Sequence, residues 1–323
     1  MTVAEPPSRR TLSSMSPVPV LIDCDPGLDD AIALLTAAHV ADLVGITTVN
    51  GNVGIDHTTH NALAVAEIAG LEVPIHRGAA RPLVNEPMDA AHVHGATGLG
   101  SVTIPEVTRS IDSDDAVSFI LDMARSVDGL HLVPIGPLTN IARALQADPS
   151  LPSLLSGITI MGGGAAGGNV TAAAEFNIWA DPEAAAIVFR HGGPITMVGL
   201  DVTHQVLLGR TERDAMRATD TAPARLAADL LDYAVERSGE LRGWAGAPIH
   251  DACAIVAVTN PELFEGSRHA VEVELRGTHT RGMTVVDTRD DAPGAPNVDV
   301  LRGVDAPAVV DIIVNAVTSL GSG

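Results

Sequence analysis

Lysine is absent from this chain: all 19 of its basic residues are arginines. That removes a phosphate-binding P-loop lysine, a Schiff-base lysine for pyridoxal phosphate and any lysine general base. Positive charge is scarce altogether, with 40 acidic residues against 19 basic ones and a formal net of −21. A field of that sign repels phosphate backbones and anionic lipid, so no nucleic acid and no membrane surface is expected as partner. Aromatics make up 2% of the 323 residues, too few for the stacking platforms of single-strand binders. The two cysteines, Cys24 and Cys253, form no CxxC and no disulfide framework, which fits a reduced cytoplasmic setting. No apolar run reaches the roughly 18 residues of a membrane span. Residues 1–16 are polar and Pro/Ser-rich and read as a disordered leader. Arg9-Arg10 lacks the apolar stretch of an export signal. The expectation is a soluble cytoplasmic protein whose ligands are divalent cations or neutral polar small molecules.

What is present is ample material for a core, at 46% hydrophobic residues. Short apolar runs alternate with helical patterns. VPVLID (Val18–Asp23), Leu43–Val49, Leu130–Ile135, Ile158–Met161 and Pro194–Leu200 read as buried strands. Helical patterns fall at Asp29–Val40, His57–Ala69, Leu138–Leu145 and Pro182–Arg190. Such alternation predicts an α/β fold: an open, mostly parallel, Rossmann-like sheet with flanking helices. After Ala222 the spacing changes to a long helix, about Pro223–Ser238, and a short one from His250. Strands near Val271–Leu275 and Met283–Val286 and a helix over about Pro307–Leu320 follow. No linker or repeat interrupts 17–323, which reads as one domain with a helical insertion near the active site.

In an open parallel sheet, ligands bind beyond the carboxyl ends of the strands. The first strand ends there in Asp23-Cys24-Asp25-Pro26-Gly27-Leu28-Asp29-Asp30. Four carboxylates within eight residues repel one another unless something compensates them, and a bound cation is the simplest compensation. Carboxylate and carbonyl oxygens without thiolates suit a hard ion, Ca²⁺ or Mg²⁺. Pro26-Gly27 supplies the turn that lets Asp25 and Asp29 or Asp30 face one centre. Helix capping is the plainer role for any single aspartate, including Asp181 and Asp251, and a turn role is open to Asn52. Polar groups gather at other strand ends too: Asn50-Gly51-Asn52, His250-Asp251, and Asn169, Glu175 and Asn177 ahead of Asp181.

DCDPGLDDA, VNGN, LVPIGPLTNIA, the MGGG…GN…AEFNIWADPEAA block, VGLDVTHQ and HDACAI occur in this order over about Pro19 to Val314. Together they resemble the calcium-dependent, inosine-uridine preferring nucleoside hydrolases. The resemblance implies a Ca²⁺ ion held by Asp25, Asp30, Asp251 and the carbonyl of Ile135, a position where some relatives carry threonine. It implies Asp25 as base for the calcium-bound water and Asp29 on a ribose hydroxyl, helped by Asn52, Asn169, Glu175 and Asn177. His250 then faces the base and protonates it as it leaves. Asp23 organises the turn. A ribonucleoside substrate and a homodimer or homotetramer are implied as well. In the divergent Tyr233–Ala247 segment Arg242 and Trp244 are conspicuous, and Trp244 is a candidate for stacking on the base. His92 and His94 sit on a loop that could approach the ligand. The residues agree with this chemistry, since N-glycoside cleavage needs activated water, stabilised positive charge on ribose and a neutralised leaving base.

Rival readings lack support. Gly162–Gly167 satisfies G-x-G-x-x-G after a strand, yet no amphipathic helix opens at once. A phosphotransferase built on Asp23 and Asp25 needs a lysine. A non-catalytic calcium-binding protein leaves His250 and the Asn/Glu set without a role.

Overall fold

The computed structural model describes residues 18–191 and 193–321; the leader expected at 1–16 lies outside them. The chain opens with β1 (Pro19–Cys24), α1 (Leu28–Val40), β2 (Asp42–Thr48), α2 (Ile55–Ala69) and β3 (Ile75–Arg77). Next come α3 (Ala91–His94), α4 (Ala116–Ser126), β4 (His131–Pro134), α5 (Thr139–Ala147) and β5 (Gly157–Met161). After α6 (Phe176–Ala180), α7 (Pro182–His191) and β6 (Ile195–Val198), a mostly helical stretch holds α8 (Leu200–Thr203), α9 (Arg210–Thr219) and α10 (Ala222–Arg242). Two-residue strands β7 (Leu207–Leu208) and β8 (Ala247–Pro248) pair beside them. The chain continues through α11 (His250–Thr259), β9 (Phe264–Val273), β10 (Thr284–Asp287), β11 (Val298–Val304) and α12 (Ala306–Ser319).

Nine strands form one sheet in the order β10-β9-β11-β6-β5-β4-β1-β2-β3. From β11 to β3 neighbours run parallel, while β9 and β10 add an antiparallel edge. The fold is thus the open, mostly parallel α/β sheet that the alternation predicts. Successive side chains of β1 point to opposite faces: Val20, Ile22 and Cys24 join the core under α1, α10, α11 and α12, and Leu21 joins the core under α4, α5 and α7. Helix α1 is buried through most of its length because LDDAIALLTAA offers no polar stripe to water.

Chain order sets the site. From β1 the sheet grows outward to β2 and β3, then returns to place β4 on the other side of β1. That reversal opens a crevice at the carboxyl ends of β1 and β4, where doubly wound sheets hold their ligands.

Some elements depart from the sequence reading. The strand expected at Val271–Leu275 starts at Phe264 and ends at Val273, because its first half is mostly exposed and carries no apolar signal. Strand β11 was hidden by Gly303, where its pairing with β9 shifts register. Helix α9 buries Met216 alone and so has no apolar period.

Candidate active site

Asp25 lies just past β1 and is fully buried. Its Oδ2 accepts the Asn52 backbone N–H at 2.6 Å, and its Oδ1 has no hydrogen-bond partner among the described residues. Two glycines make room for it: a Cβ on Gly51 would lie 2.0 Å from Oδ2, and one on Gly136 would lie 2.4 Å from Oδ1. The carboxylate is therefore flanked by the chain following β2 on one side and the chain following β4 on the other.

Asp30 accepts the backbone N–H groups of Asp25 at 3.1 Å and Gly27 at 2.9 Å, so it closes the first turn of α1. It also accepts the Asn52 side-chain amide at 2.9 Å, and it shares the buried acidic group with Asp25 and Asp251. Asp251 comes from the first turn of α11, whose N-cap is Ile249, so a capping role does not account for it. Asp29, Asp30 and Asp251 each bring a carboxylate oxygen within 4.8 Å of the other two. Burial, and then repulsion from Asp30, pushes Asp25 well above the ordinary carboxylate range. Burial and then Asp29 do the same to Asp251, and burial followed by Asp30 takes Asp29 to about 7. Burial raises Asp30 as well. Four carboxylates share one buried place with no cationic side chain among the groups acting on them.

Asp23 points away from this group, with the Leu21 face of β1. Its Oδ1 accepts Thr47 Oγ1 at 2.6 Å and Asn140 Nδ2 at 2.7 Å, tying β1 to β2 and α5. Its role is organisational, and burial pushes it up to about 7.

Every expected site residue except Asp25 and Asp30 lines a single cavity of about 580 Å³, and those two are buried behind Asn52 and Asp251. Several are less free than the ribose-binding expectation requires. Asn52 spends its amide on the Asp25 carbonyl and on Asp30. Glu175 caps α6, accepting from the backbone of Gly163, Asn177 and Ile178. Asn169 Oδ1 takes the Phe176 N–H at 2.9 Å. Asn177 donates to the carbonyls of Ile135 at 2.8 Å and Met161 at 3.1 Å, and its own oxygen has no hydrogen-bond partner among the described residues. Asp181 caps α7, as a lone aspartate should.

The far wall is built of rings. His250 Nδ1 lies 2.6 Å from Thr203 Oγ1, and burial first, then neighbouring positive charge, pushes the imidazole down to about 3. His204 stands edge-on between His250 and Trp244, with centroids 5.6 and 5.1 Å away. His94, on the one-turn helix α3, accepts the Leu28 N–H at Nδ1, so its neutral ring carries the proton on Nε2. His92 and Trp244 line the same cavity, as do His204, Arg237 and Arg242. Sequence reasoning missed Thr203, His204, Gly51 and Gly136 as parts of the site. VGLDVTHQ after a strand end is the signal that could have flagged the first two; the glycines have none beyond their position after β2 and β4.

Buried carboxylates at the switch point of an open α/β sheet, under a cavity walled by imidazole and indole rings, define an enzyme acting on a small polar ligand. The family model described as inosine-uridine preferring nucleoside hydrolase matches residues 20–311. The inosine-uridine preferring nucleoside hydrolase of Crithidia fasciculata is 40% identical over 311 residues, covering 94% of this chain and 99% of its own length. The pyrimidine-specific ribonucleoside hydrolase RihA of Shewanella woodyi is 41% identical, covering 91% and 96%. Among solved structures, the purine-preferring ribonucleoside hydrolase from Gardnerella vaginalis superimposes with a TM-score of 0.88 at 33% identity, covering 94% of this chain and 98% of its own. The chain belongs to the inosine-uridine preferring nucleoside hydrolase family, and so to the hydrolases acting on N-glycosyl compounds. Among the described residues no helix is long and apolar enough to cross a membrane.

Proposed function

We propose that the protein hydrolyses ribonucleosides of the uridine and inosine type to ribose and free base, in nucleoside salvage. The observation that carries this reading is the convergence of Asp25, Asp29, Asp30 and Asp251 from two distant segments behind a nucleoside-sized cavity. Family membership and the relatives' names support it. One nine-stranded sheet from Pro19 to Val304 supports a single domain. The cytoplasmic location rests on the sequence reading, and a homodimer or homotetramer on the family resemblance alone.

The acidic group fits a calcium ion. Its donors are all hard oxygens, Asp25 Oδ1 is orphaned, and burial keeps the thiols of Cys24 and Cys253 protonated. Asp25, Asp30, Asp251 and the Ile135 carbonyl are the proposed holders, with Asp29 in the same acidic group. When bound, calcium supplies Lewis acidity that lowers the pKa of water and attracts ribose hydroxyls.

The chain's own groups do the rest. Asp25, with one oxygen fixed by the Asn52 N–H, takes a proton from the attacking water at the other. Asp29, at the cavity surface, accepts from a ribose hydroxyl, and the Asn177 oxygen offers a second acceptor. Positive charge growing on the ribose is stabilised by the carboxylates around it. Because Thr203 occupies Nδ1 of His250, Nε2 is the ring nitrogen left for the departing base. His250 is neutral in the free protein, so its work as an acid requires proton uptake as the base docks.

Release of free ribose from uridine and inosine, with and without prior chelation, tests the proposal. Expected is release that chelation abolishes and calcium restores. Absence of ribose from every ribonucleoside with calcium present overturns the activity, and undiminished release after exhaustive chelation overturns the metal.

A further inference from the structure

We infer that Thr203 is the positioning residue that sets the proton of His250. Its hydroxyl donates to Nδ1, so the neutral ring carries its N–H on Nε2, facing the departing base. The inference rests on the reading of His250 as leaving-group acid and names what prepares the ring for that work. Thr203 Oγ1 lies 2.6 Å from His250 Nδ1, and Thr203 is fully buried. A threonine in a helix commonly turns its hydroxyl back to the carbonyl four residues earlier. In α8 that carbonyl belongs to Gly199, and it already accepts the backbone N–H groups of Val202 and Thr203 at 3.0 and 3.1 Å. Among the described residues the one partner of the hydroxyl is Nδ1. A buried hydroxyl proton without an acceptor is costly, so it points at Nδ1. A nitrogen that accepts carries no proton, which leaves the hydrogen of the neutral ring on Nε2.

The short helix that carries Thr203 is held from several sides. Leu200 N–H donates to the Gly163 carbonyl at 2.9 Å, and Asp201 Oδ2 accepts the Ala165 N–H at 2.6 Å. Gln205 Nε2 reaches the Arg302 carbonyl on β11 at 3.1 Å. The residue after Thr203, His204, sets its ring edge-on against His250 with centroids 5.6 Å apart. Consecutive side chains of one helix thus fix both the plane of the imidazole and the nitrogen that stays bare. The choice of nitrogen matters because a leaving base presents acceptors, N7 of a purine or a carbonyl oxygen of uracil. As the C1′–N bond breaks, its electron pair stays with the base, and an N–H aimed at the base stabilises that charge. The other tautomer turns a lone pair on the base instead. A hydroxyl also rotates from donor to acceptor, so Thr203 keeps hold of Nδ1 when that nitrogen takes up a proton in its turn.

The test compares Thr203→Val, which keeps the shape of the side chain and removes the hydroxyl, with Thr203→Ser, which keeps the hydroxyl. For uridine and inosine, Thr203→Val is expected to lower kcat by about 10–100-fold, the scale on which partners that orient a histidine are felt. KM should change by less than about threefold, and Thr203→Ser should recover most of the loss. Nitrophenyl riboside, whose leaving group needs no proton, should be slowed far less by Thr203→Val, at an unchanged calcium requirement. Equal slowing of both kinds of substrate, or nucleoside turnover that a folded Thr203→Val leaves unchanged, overturns the inference. The ring itself is read without catalysis, by nitrogen NMR of protein carrying labelled histidine, with the His250 signals assigned through their loss in His250→Gln. Expected is one tautomer with its hydrogen on Nε2 in the wild type and in Thr203→Ser, and loss of that preference in Thr203→Val. A hydrogen on Nδ1 in the wild type overturns the inference even where the valine variant does not fold. If the wild type cleaves no nucleoside, the hydrolase reading fails, while the NMR comparison still decides the role of Thr203.

Discussion

At the residue scale the proposed chemistry divides between Asp25 and His250, and the two can be separated by choice of leaving group. A nitrophenolate departs without a proton, whereas a purine or uracil does not. His250→Ala is expected to slow inosine and uridine by about 10²–10⁴-fold, the usual contribution of a positioned acid, and to leave nitrophenyl riboside nearly untouched. Asp25→Asn should slow both substrates together. Equal slowing of both in His250→Ala would mean that the ring merely supports the helix carrying Asp251. Gly51→Ala is a second test: its Cβ lands 2.0 Å from Asp25 Oδ2 and must displace the carboxylate. A drop in kcat of about 100-fold is expected, the penalty for misplacing a reacting group by about 1 Å; an unchanged kcat in a folded variant contradicts the close approach. Asp25, Asp29 and Asp30 could be singled out because one short run places them at a strand end, and His250 because it stands beside Asp251 at the opening of a helix. Thr203 and His204 were not, since their partner His250 is 46 residues or more away and only folding brings them together. Asn52 and Glu175 were legible as site residues but not in their roles, because hydrogen bonds to neighbouring backbone and to Asp30 cannot be read from spacing.

At the scale of elements, the buried parallel strands and their crossover helices were legible because β1 and β5 carry short apolar runs and α1 is mostly apolar beyond Asp29 and Asp30 in its first turn. Elements without that signal were hidden: β9 is half exposed, α9 is polar on nearly every side, and β3 has three residues. Strand β4 carries its own test at the end remote from the cavity. His131 there bonds to Ser156 and Thr159 hydroxyls, and burial pushes it down to about 4. Between pH 6.5 and 4 the unfolded chain binds this proton and the folded chain does not. The stability His131 contributes is therefore complete above pH 6.5 and lost as pH falls toward 4, by up to about 3 kcal/mol. The stability of His131→Asn, measured by urea unfolding, should fall less steeply over that window than that of the wild type. Parallel slopes would show that the ring is not held neutral.

At the scale of the whole molecule, the carboxylate group has the opposite sign. Asp29, pushed up to about 7, keeps its proton in the folded chain at pH values where the unfolded chain releases it near 3.8. Metal-free stability should therefore fall as pH rises from about 4 through 7. The proposed calcium ion competes with those protons, so the rise in Tm on adding calcium should be larger at pH 8 than at pH 5, by differential scanning calorimetry. At 100 times Kd the stabilisation is about 2.7 kcal/mol, or about 5 °C for a chain of this size. Equal shifts at both values would sink the coupling. The chain reversal at β1 and β4 has a further consequence, for inheritance rather than for catalysis. It roots Asp25 in the middle of the sheet, between the chain following β2 and the chain following β4, while Trp244 stands on the outer wall of the cavity, just past the end of α10. A substitution in the first place disturbs the sheet and the carboxylates at once, whereas one in the second reaches neither. In the proposed reaction, the choice of bond and the choice of base are therefore separable.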